Sequence, residues 1–251
     1  MEPSRNDLEA LVYEKYAGDP NAEGIRADVE RLQAGEPLAY VIGHIPFLGL
    51  SIWLDSRPLI PRPETEWWTE ELITHIKTIC RSGQSSRVLD VCAGSGAIGL
   101  AILKEVPDAL VAFGELIPEH TTLIQKNIEV NALDATRADI RTSDLFDAFA
   151  GERYTIIACN PPYVPSKRTL DASVTNYEPS TALYSGDDGL ELIRHIASEA
   201  PQHLVPQGEL WMECDIENIH TARELLLEYG FPTVEIRTDP YGRERIVVAQ
   251  L

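Results

Sequence analysis

The sequence predicts an α/β fold built on a mostly parallel, doubly wound sheet, and two observations carry that prediction. Strand-like apolar runs near 87–92, 109–115, 137–143, 154–159 and 207–214 alternate with amphipathic helix-like segments, the pattern of successive βαβ units. Two late strand-like runs, 233–236 and 245–249, are joined by the turn-rich Asp239-Pro240-Tyr241-Gly242, a link short enough for an antiparallel hairpin. At 251 residues the chain can bury one catalytic-sized core and a small appendage.

Taken in order, residues 1–34 read as two short helices, with Leu8, Leu11, Val12 and Tyr16 at helical spacing and then Ile25, Val29 and Leu32. Residues 47–54 alternate around Gly49 and predict a small β-hairpin. The expected division is a helical part over 1–35, a linker with the hairpin over 36–63, and the sheet domain over 64–251. Trp53, Trp67, Trp68 and Trp211 are read as packing residues. The stretch 164–187 is too long for a plain connection inside a compact domain and is read as a substrate-facing loop.

Chemistry enters at the strand ends. Arg87-Val88-Leu89-Asp90-Val91 hands over to Cys92-Ala93-Gly94-Ser95-Gly96-Ala97-Ile98-Gly99, a glycine loop opening a helix, where free backbone N–H groups can meet a ligand. About 20 residues on, as a ribose-binding acid requires, the next strand ends at Gly114-Glu115. The literal Gly94-x-Gly96-x-x-Gly99 spacing also suits a dinucleotide, so charge has to decide. Asp90 beside the loop disfavours a pyrophosphate, whereas S-adenosylmethionine carries a sulfonium and an ammonium and no phosphate. At the third strand end, Asp144 is placed to accept from an adenine amine and Leu145 to pack on the ring; Asp144 reads equally as a surface residue starting a short helix.

The fourth strand end is Asn160-Pro161-Pro162-Tyr163. Each proline removes a donor and fixes its φ, and Pro162 pushes Pro161 toward an extended conformation. The Asn160 side-chain oxygen and the Pro161 carbonyl are left as unopposed acceptors, able to grip a planar NH2 group with the Tyr163 ring over its face. Such a site suits a carboxamide or an amino-purine.

Composition narrows the partners. The formal charge is −19, from 21 basic and 40 acidic residues, which argues against duplex binding driven by phosphate neutralisation. The acidic runs Glu64-Thr65-Glu66 and Glu70-Glu71 read as solvated helix faces. No apolar stretch is long enough to span a bilayer, and the segment from Met1 to Asp7 does not resemble a secretory leader, so a cytoplasmic location and no membrane partner are expected. The four cysteines lack C-x-x-C spacing and the six histidines are scattered, so reduced thiols and no metal are expected.

Together these residues closely resemble the class I methyltransferases that modify glutamine in peptide chain release factors, the HemK or PrmC type. The resemblance rests on Gly35-Glu36-Pro37-Leu38-Ala39-Tyr40 with Gly43, Phe47-Leu48-Gly49-Leu50, and Leu59-Ile60-Pro61-Arg62-Pro63-Glu64-Thr65-Glu66. It continues through Val88-Leu89-Asp90, Gly94-Ser95-Gly96, Asp144-Leu145-Phe146 and Asn160-Pro161-Pro162-Tyr163, then Tyr177-Glu178-Pro179, Ala182-Leu183, Gly186 and Asp188-Gly189-Leu190. Pro206-x-Gly208 with Glu213 and Asp239-x-x-Gly242 with Arg245 complete it. N-P-P-Y alone also resembles N6-adenine DNA methyltransferases; its pairing with P-R-P-E-T-E points to the release-factor type.

The resemblance implies a Rossmann-like, mostly parallel seven-stranded sheet with an antiparallel last strand, and S-adenosylmethionine as cofactor at Asp90, Cys92, Ala93, Gly94, Ser95, Gly96, Glu115, Asp144, Leu145 and Asn160. It implies a release-factor glutamine as substrate, held by Asn160, Pro161, Pro162 and Tyr163. Arg62, Glu64 and Thr65 either border that site or clamp the two parts of the chain together. A ribosomal-protein glutamine methyltransferase and an N6-adenine nucleic-acid methyltransferase are the alternatives. Four departures stand out: Cys92 where glycine is frequent, which implies that no positive φ is needed there; Glu115 for the usual Asp; Thr155 for Asp; and Asp215 for glycine. Only residues 1–34 precede G-E-P-L-A-Y, where the family carries a larger helical domain, and this bears on docking of the protein partner.

Overall fold

A computed structural model describes residues 3–81 and 86–251; the first two residues of the expected helical part and of the segment read for an export leader lie outside them, as do residues 82–85 of the sheet domain. Residues 1–34 hold the two helices expected there, α1 (Arg5–Tyr16) and α2 (Ile25–Gln33), and a further helix, α3 (Leu38–Ile42), lies in the stretch expected to be linker. Ser4 and Asp7 start α1 with a reciprocal capping box. The third helix arises from G-E-P-L-A-Y itself, since Pro37 opens it and Gly43, at φ 103°, closes it. Leu11, Leu32, Val41 and Ile42 form a small core of their own, ringed by Leu8, Tyr16, Ile25, Val29 and Leu38.

A hairpin follows, β1 (His44–Phe47) and β2 (Leu50–Trp53), with Leu48 and Gly49 both at positive φ, the signature of a tight two-residue turn. Helix α4 (Pro63–Arg81) leads into the sheet domain and sinks Trp68, Leu72 and Ile76 completely out of water, each burial worth roughly 1.5–3 kcal/mol.

The sheet domain runs β3 (Ser86–Val91), α5 (Ala97–Glu105), β4 (Ala109–Glu115), α6 (Pro118–Val130), β5 (Ala138–Thr142) and β6 (Tyr154–Cys159). It continues with α7 (Ala172–Thr175), α8 (Glu191–His203), β7 (Leu204–Glu213), α9 (Ile219–Glu228), β8 (Thr233–Thr238) and β9 (Glu244–Gln250). Seven strands lie in the order β5-β4-β3-β6-β7-β9-β8, with β9 antiparallel to both of its neighbours. Alternation of side chains along each strand splits the core in two. Val88, Ile156, Ala158 and Trp211 face the layer of α4 and α5, while Leu89, Val91, Ile157, Leu210 and Met212 pack with Ile193, Ile196, Ala222 and Leu226 of α8 and α9.

The hairpin is stitched to the sheet domain by amides. Asn127 accepts from the Trp53 N–H at 2.8 Å and donates to Trp53 O at 3.2 Å and Ser95 O at 3.0 Å, and Asn131 exchanges two bonds of 2.9 Å with the Ser51 backbone. Among the described residues no helix is long and apolar enough to cross a membrane.

Candidate active site

The sheet reverses its winding between β3 and β6, because the chain steps outward from β3 to β4 and β5 and then returns to β6 on the other side of β3. Crevices form at such reversals, beyond the carboxyl ends of the strands. Here the loop after β3 and the loop after β6 flank a cleft of about 670 Å³, measured to its open mouth. Cys92, Gly94, Glu115, Ile117, His120, Asp144, Leu145, Asn160 and Pro162 are among its walls. A smaller recess adjoins it, sharing Leu59, Cys92, Gly94 and Asn160 and adding Thr65, Ala93, Ser95 and Ile98. Asn160 therefore stands at the junction of the two spaces.

Carboxylates shape the loop after β3. Glu115 accepts the Gly94 N–H at 2.8 Å and the Ile117 N–H at 3.0 Å, tying the glycine loop to the start of α6. Asp90 accepts the Gly99 N–H at 2.9 Å. A Cβ at Gly99 would collide with the Phe113 ring, so only glycine lets α5 lie this close to β4. Cys92 adopts φ 59°, contrary to what its side chain implies. The turn demands the left-handed backbone whichever residue stands there, and the cysteine bears a strain of roughly 1–2 kcal/mol that glycine would avoid.

Asp90 is also not the rim acid that its sequence position suggests. It is wholly buried beneath the loop and lines neither space. Burial, with the nearby Glu115 charge adding, pushes its carboxyl up to about 8 against the opposing Gly99 bond, and its second oxygen has no partner. At neutral pH it is largely protonated, so the acidic character of the cleft belongs to Glu115 and the exposed Asp144. Among the described residues lining the two spaces, none is Lys or Arg.

The loop after β6 is held differently. Asn160 Nδ2 donates to Thr65 Oγ1 at 3.2 Å, and Thr65 Oγ1 donates to Glu213 Oε2 at 2.7 Å. Trp68 Nε1 donates to the same oxygen at 2.7 Å, and the Tyr163 hydroxyl to Glu213 Oε1 at 3.0 Å. Burial pushes the Glu213 carboxyl above its ordinary value, opposed by these three donors. Behind the loop, a Cβ at Gly189 would strike the Tyr163 carbonyl oxygen, which explains a glycine in Asp188-Gly189-Leu190. Of the N-P-P-Y residues, Asn160 and Pro162 line the cleft, whereas Pro161 lines neither space and the Tyr163 phenol is turned to Glu213.

P-R-P-E-T-E divides its labour. Thr65 reaches the site. Arg62 pairs with Glu178, which also accepts the Ile60 N–H at 3.1 Å, and Glu64 pairs with Arg243 at 3.1 Å. Arg62 and Glu64 thus act as clamps on neighbouring segments. Glu66 accepts the Leu48 N–H at 2.6 Å, so this acidic run is bound to the hairpin and is not merely a solvated face. Tyr177, whose hydroxyl donates to Ala34 O at 2.9 Å, and Glu178 anchor the stretch 164–187, from which Pro179, Thr181 and Ala182 form a wall of the cleft.

Two site features escape the sequence. His120 lines the cleft, bonded to Ser56 through Nδ1 at 2.7 Å, its pKa lowered by burial against the pull of Glu115 and Glu119. Its place in the first turn of α6, just beyond Glu115, was the available signal. Glu213 gave only a motif position, since two of its three partners lie 145 and 148 residues away in sequence and the third 50.

Residues 67–177 match the family model of the methyltransferase small domain. The chain is 35% identical to the release factor glutamine methyltransferase of Deinococcus radiodurans over 234 residues, 92% of this chain and 81% of that one. It is 36% identical to the enzyme of the same description from Pseudomonas aeruginosa, over 88% of this chain and 78% of that one. The chain belongs to the release factor glutamine methyltransferase family. Like the rest of that family, it is a methyltransferase. Among solved structures, a methyltransferase from Pyrococcus furiosus superposes with a TM-score of 0.58 at 17% identity, covering 90% of this chain and 98% of that one. The T. thermophilus 16S rRNA N2 G1207 methyltransferase, solved with AdoMet and guanosine, gives 0.57 at 20% identity, over 82% of this chain and 49% of that one. These structural likenesses speak for the fold, a class I methyltransferase sheet.

Proposed function

We propose that this methyltransferase uses S-adenosylmethionine to methylate the side-chain N5 of the glutamine in the Gly-Gly-Gln motif of a peptide chain release factor. The observation that carries the reading is the held amide of Asn160: its NH2 is engaged by Thr65, leaving its oxygen as the free acceptor where the cleft meets the recess.

The cleft suits the cofactor. Glu115 uses one lone pair of each oxygen on the backbone, and the remaining pairs suit the two ribose hydroxyls. Leu145 and Ile117 offer apolar surface to an adenine ring, with Asp144 at its edge for the amine. Walls carrying acids and no Lys or Arg suit a ligand with a sulfonium and no phosphate. Ala93, Gly94 and Ser95 form the backbone cradle on the recess side, while Gly96 is buried against Ile124 and lines neither space. S-adenosylmethionine, when bound, supplies an electrophilic methyl group on that sulfonium.

A glutamine amide nitrogen is a feeble nucleophile, its lone pair being delocalised into the carbonyl. Asn160 Oδ1 and the Pro161 carbonyl accept its two hydrogens and point the nitrogen at the methyl carbon, and the Tyr163 ring bounds the amide plane. S-adenosylmethionine would supply the methyl carbon and keep the S–C electron pair, and the amide nitrogen, positively charged once methylated, would lie between Asn160 Oδ1 and the Pro161 carbonyl. The two acceptors bind that charged nitrogen more strongly than the neutral amide, which is differential stabilisation. Orientation of this kind can contribute roughly 7–11 kcal/mol. The proton leaves afterwards, when the nitrogen is strongly acidic, so no dedicated base is needed.

The test is mass spectrometry of a purified release factor incubated with enzyme and cofactor. One methyl on the Gly-Gly-Gln glutamine is expected. An unmodified factor, with methyl transfer instead to an adenine-containing oligonucleotide or to a ribosomal protein, would overturn the assignment.

A further inference from the structure

Glu213 is nearly inaccessible to solvent, at 2% exposed, and lines neither space of the site. Yet it is the common acceptor of three side chains, two of which border or belong to the loop after β6. Glu213 Oε2 accepts from both Trp68 Nε1 and Thr65 Oγ1, and a threonine hydroxyl has a single proton. With that proton committed to Glu213 Oε2 at 2.7 Å, Thr65 can only accept from Asn160. The amide of Asn160 must then turn its NH2 inward, to Thr65 Oγ1 at 3.2 Å, and its oxygen outward. The other Glu213 oxygen holds the Tyr163 hydroxyl at 3.0 Å, which fixes the direction of that ring. Trp68 contributes an indole N–H, a group that can only donate, and so marks Oε2 as an obligatory acceptor position.

We infer that Glu213 is a positioning residue for methyl transfer: through Thr65 it sets which end of the Asn160 amide faces the substrate, and directly it sets the Tyr163 ring. The inference rests on the proposed reaction, in which Asn160 offers its oxygen to an NH2 group. Without the carboxylate, the Thr65 proton is free to seek the Asn160 oxygen, the amide turns over, and an NH2 group meets an NH2 group.

Hydrogen-bond polarity separates positioning from mere packing. Glu213→Gln keeps an oxygen beside Trp68, because only an acceptor fits there, and that oxygen still accepts from Thr65. Its amide nitrogen faces Tyr163, whose hydroxyl can rotate to accept. Glu213→Leu and Thr65→Val both remove the direction imposed on Asn160. Trp68→Phe removes one donor and leaves the Thr65–Asn160 link in place.

The experiment measures kcat, release-factor KM, cofactor Kd and Tm for these variants, together with the Asn160 side-chain NH2 resonances in a 15N NMR spectrum. Expected are kcat losses of about 30-fold or more in Thr65→Val and Glu213→Leu, with cofactor Kd within about threefold, as an oriented donor–acceptor contact at a reacting group implies. Glu213→Gln and Thr65→Ser should retain kcat within about tenfold, and Trp68→Phe should lower Tm with kcat changed less than about threefold. If Glu213→Leu does not fold, Thr65→Val carries the comparison alone. Thr65→Val turning over like wild type, or every variant losing kcat only in proportion to its Tm, overturns the inference. A wild-type enzyme that methylates no release factor overturns the proposed reaction instead, and the NMR readout then decides the geometry: one Asn160 NH2 proton should be protected in wild type and in Glu213→Gln and exposed in Thr65→Val, and equal protection in all three contradicts the hub.

Discussion

The two loops that flank the cleft are both seated on buried acids, and they use them in opposite ways. After β3, Asp90 spends one oxygen on the Gly99 N–H and leaves the other without a partner; burial drives its carboxyl up to about 8. After β6, Glu213 uses both oxygens on Trp68, Thr65 and Tyr163. The first loop is shaped by backbone donors and demands particular φ values, so its geometry survives changes of side chain, as Cys92 at φ 59° shows. The second is aimed by side chains from elsewhere in the chain. What differs is what each loop must do: one cradles a ligand with its backbone, the other has to present a single side-chain oxygen the right way round.

The contrast can be broken most severely at Asn160. Asn160→Ala should lower the rate of methyl transfer by about 10²–10³-fold while cofactor affinity falls only severalfold, read by transfer of labelled methyl and by calorimetry. Near-normal turnover would remove the residue from the mechanism. On the other loop the split should reverse. Glu115→Ala deletes the acceptor of Gly94 and Ile117 together with the proposed ribose contact, and should weaken cofactor binding by about 10–100-fold, with kcat at saturation changed far less. Equal losses in kcat and Kd would erase the division of labour.

Smaller effects sharpen it. The folded-state pKa of Asp90 lies above its ordinary value of 3.8, so between about 4 and about 8 the folded protein binds more protons than the unfolded chain. This contribution to stability is present at the acid end and is lost as pH rises through that window. Asp90→Asn keeps an acceptor for Gly99 and cannot ionise, so its Tm relative to wild type should rise with pH from 5 to 8, by roughly 2–4 °C for each kcal/mol of linkage. A difference that stays flat across that range would show that Asp90 does not titrate in it. Cys92→Gly relieves roughly 1–2 kcal/mol of left-handed strain and incurs about 0.4–1 kcal/mol of extra chain entropy. A net gain of up to about 1.6 kcal/mol in denaturant unfolding is the expected result. A loss larger than that would mean the thiol packing outweighs the strain.

Legibility in the sequence followed chain distance. The sheet, its reversal and the four strand ends were all readable, because hydrophobic period and glycine spacing are local signals. Glu115 was readable for the same reason, lying about 20 residues beyond the loop it holds. Asp90 was found but its state was not, since protonation depends on burial that no motif spells out. A further helix, α3, hid inside the expected linker: Pro37 of G-E-P-L-A-Y starts it and Gly43, three residues past that motif, stops it. Thr65 reads in the sequence as bordering the site or clamping the chain, not as a hydrogen-bond relay. Its meaning appears only when α4 brings it between Asn160 and Glu213, residues 95 and 148 positions away.

The central claim is that an outward-facing Asn160 oxygen receives a carboxamide. A crystal structure with S-adenosylhomocysteine and a peptide carrying Gly-Gly-Gln tests it most directly. The account predicts the glutamine nitrogen within hydrogen-bonding distance of Asn160 Oδ1 and the Pro161 carbonyl, facing the sulfur, with Asn160 Nδ2 still on Thr65. A peptide bound elsewhere, or an Asn160 amide turned over with its NH2 toward the glutamine nitrogen, would contradict it.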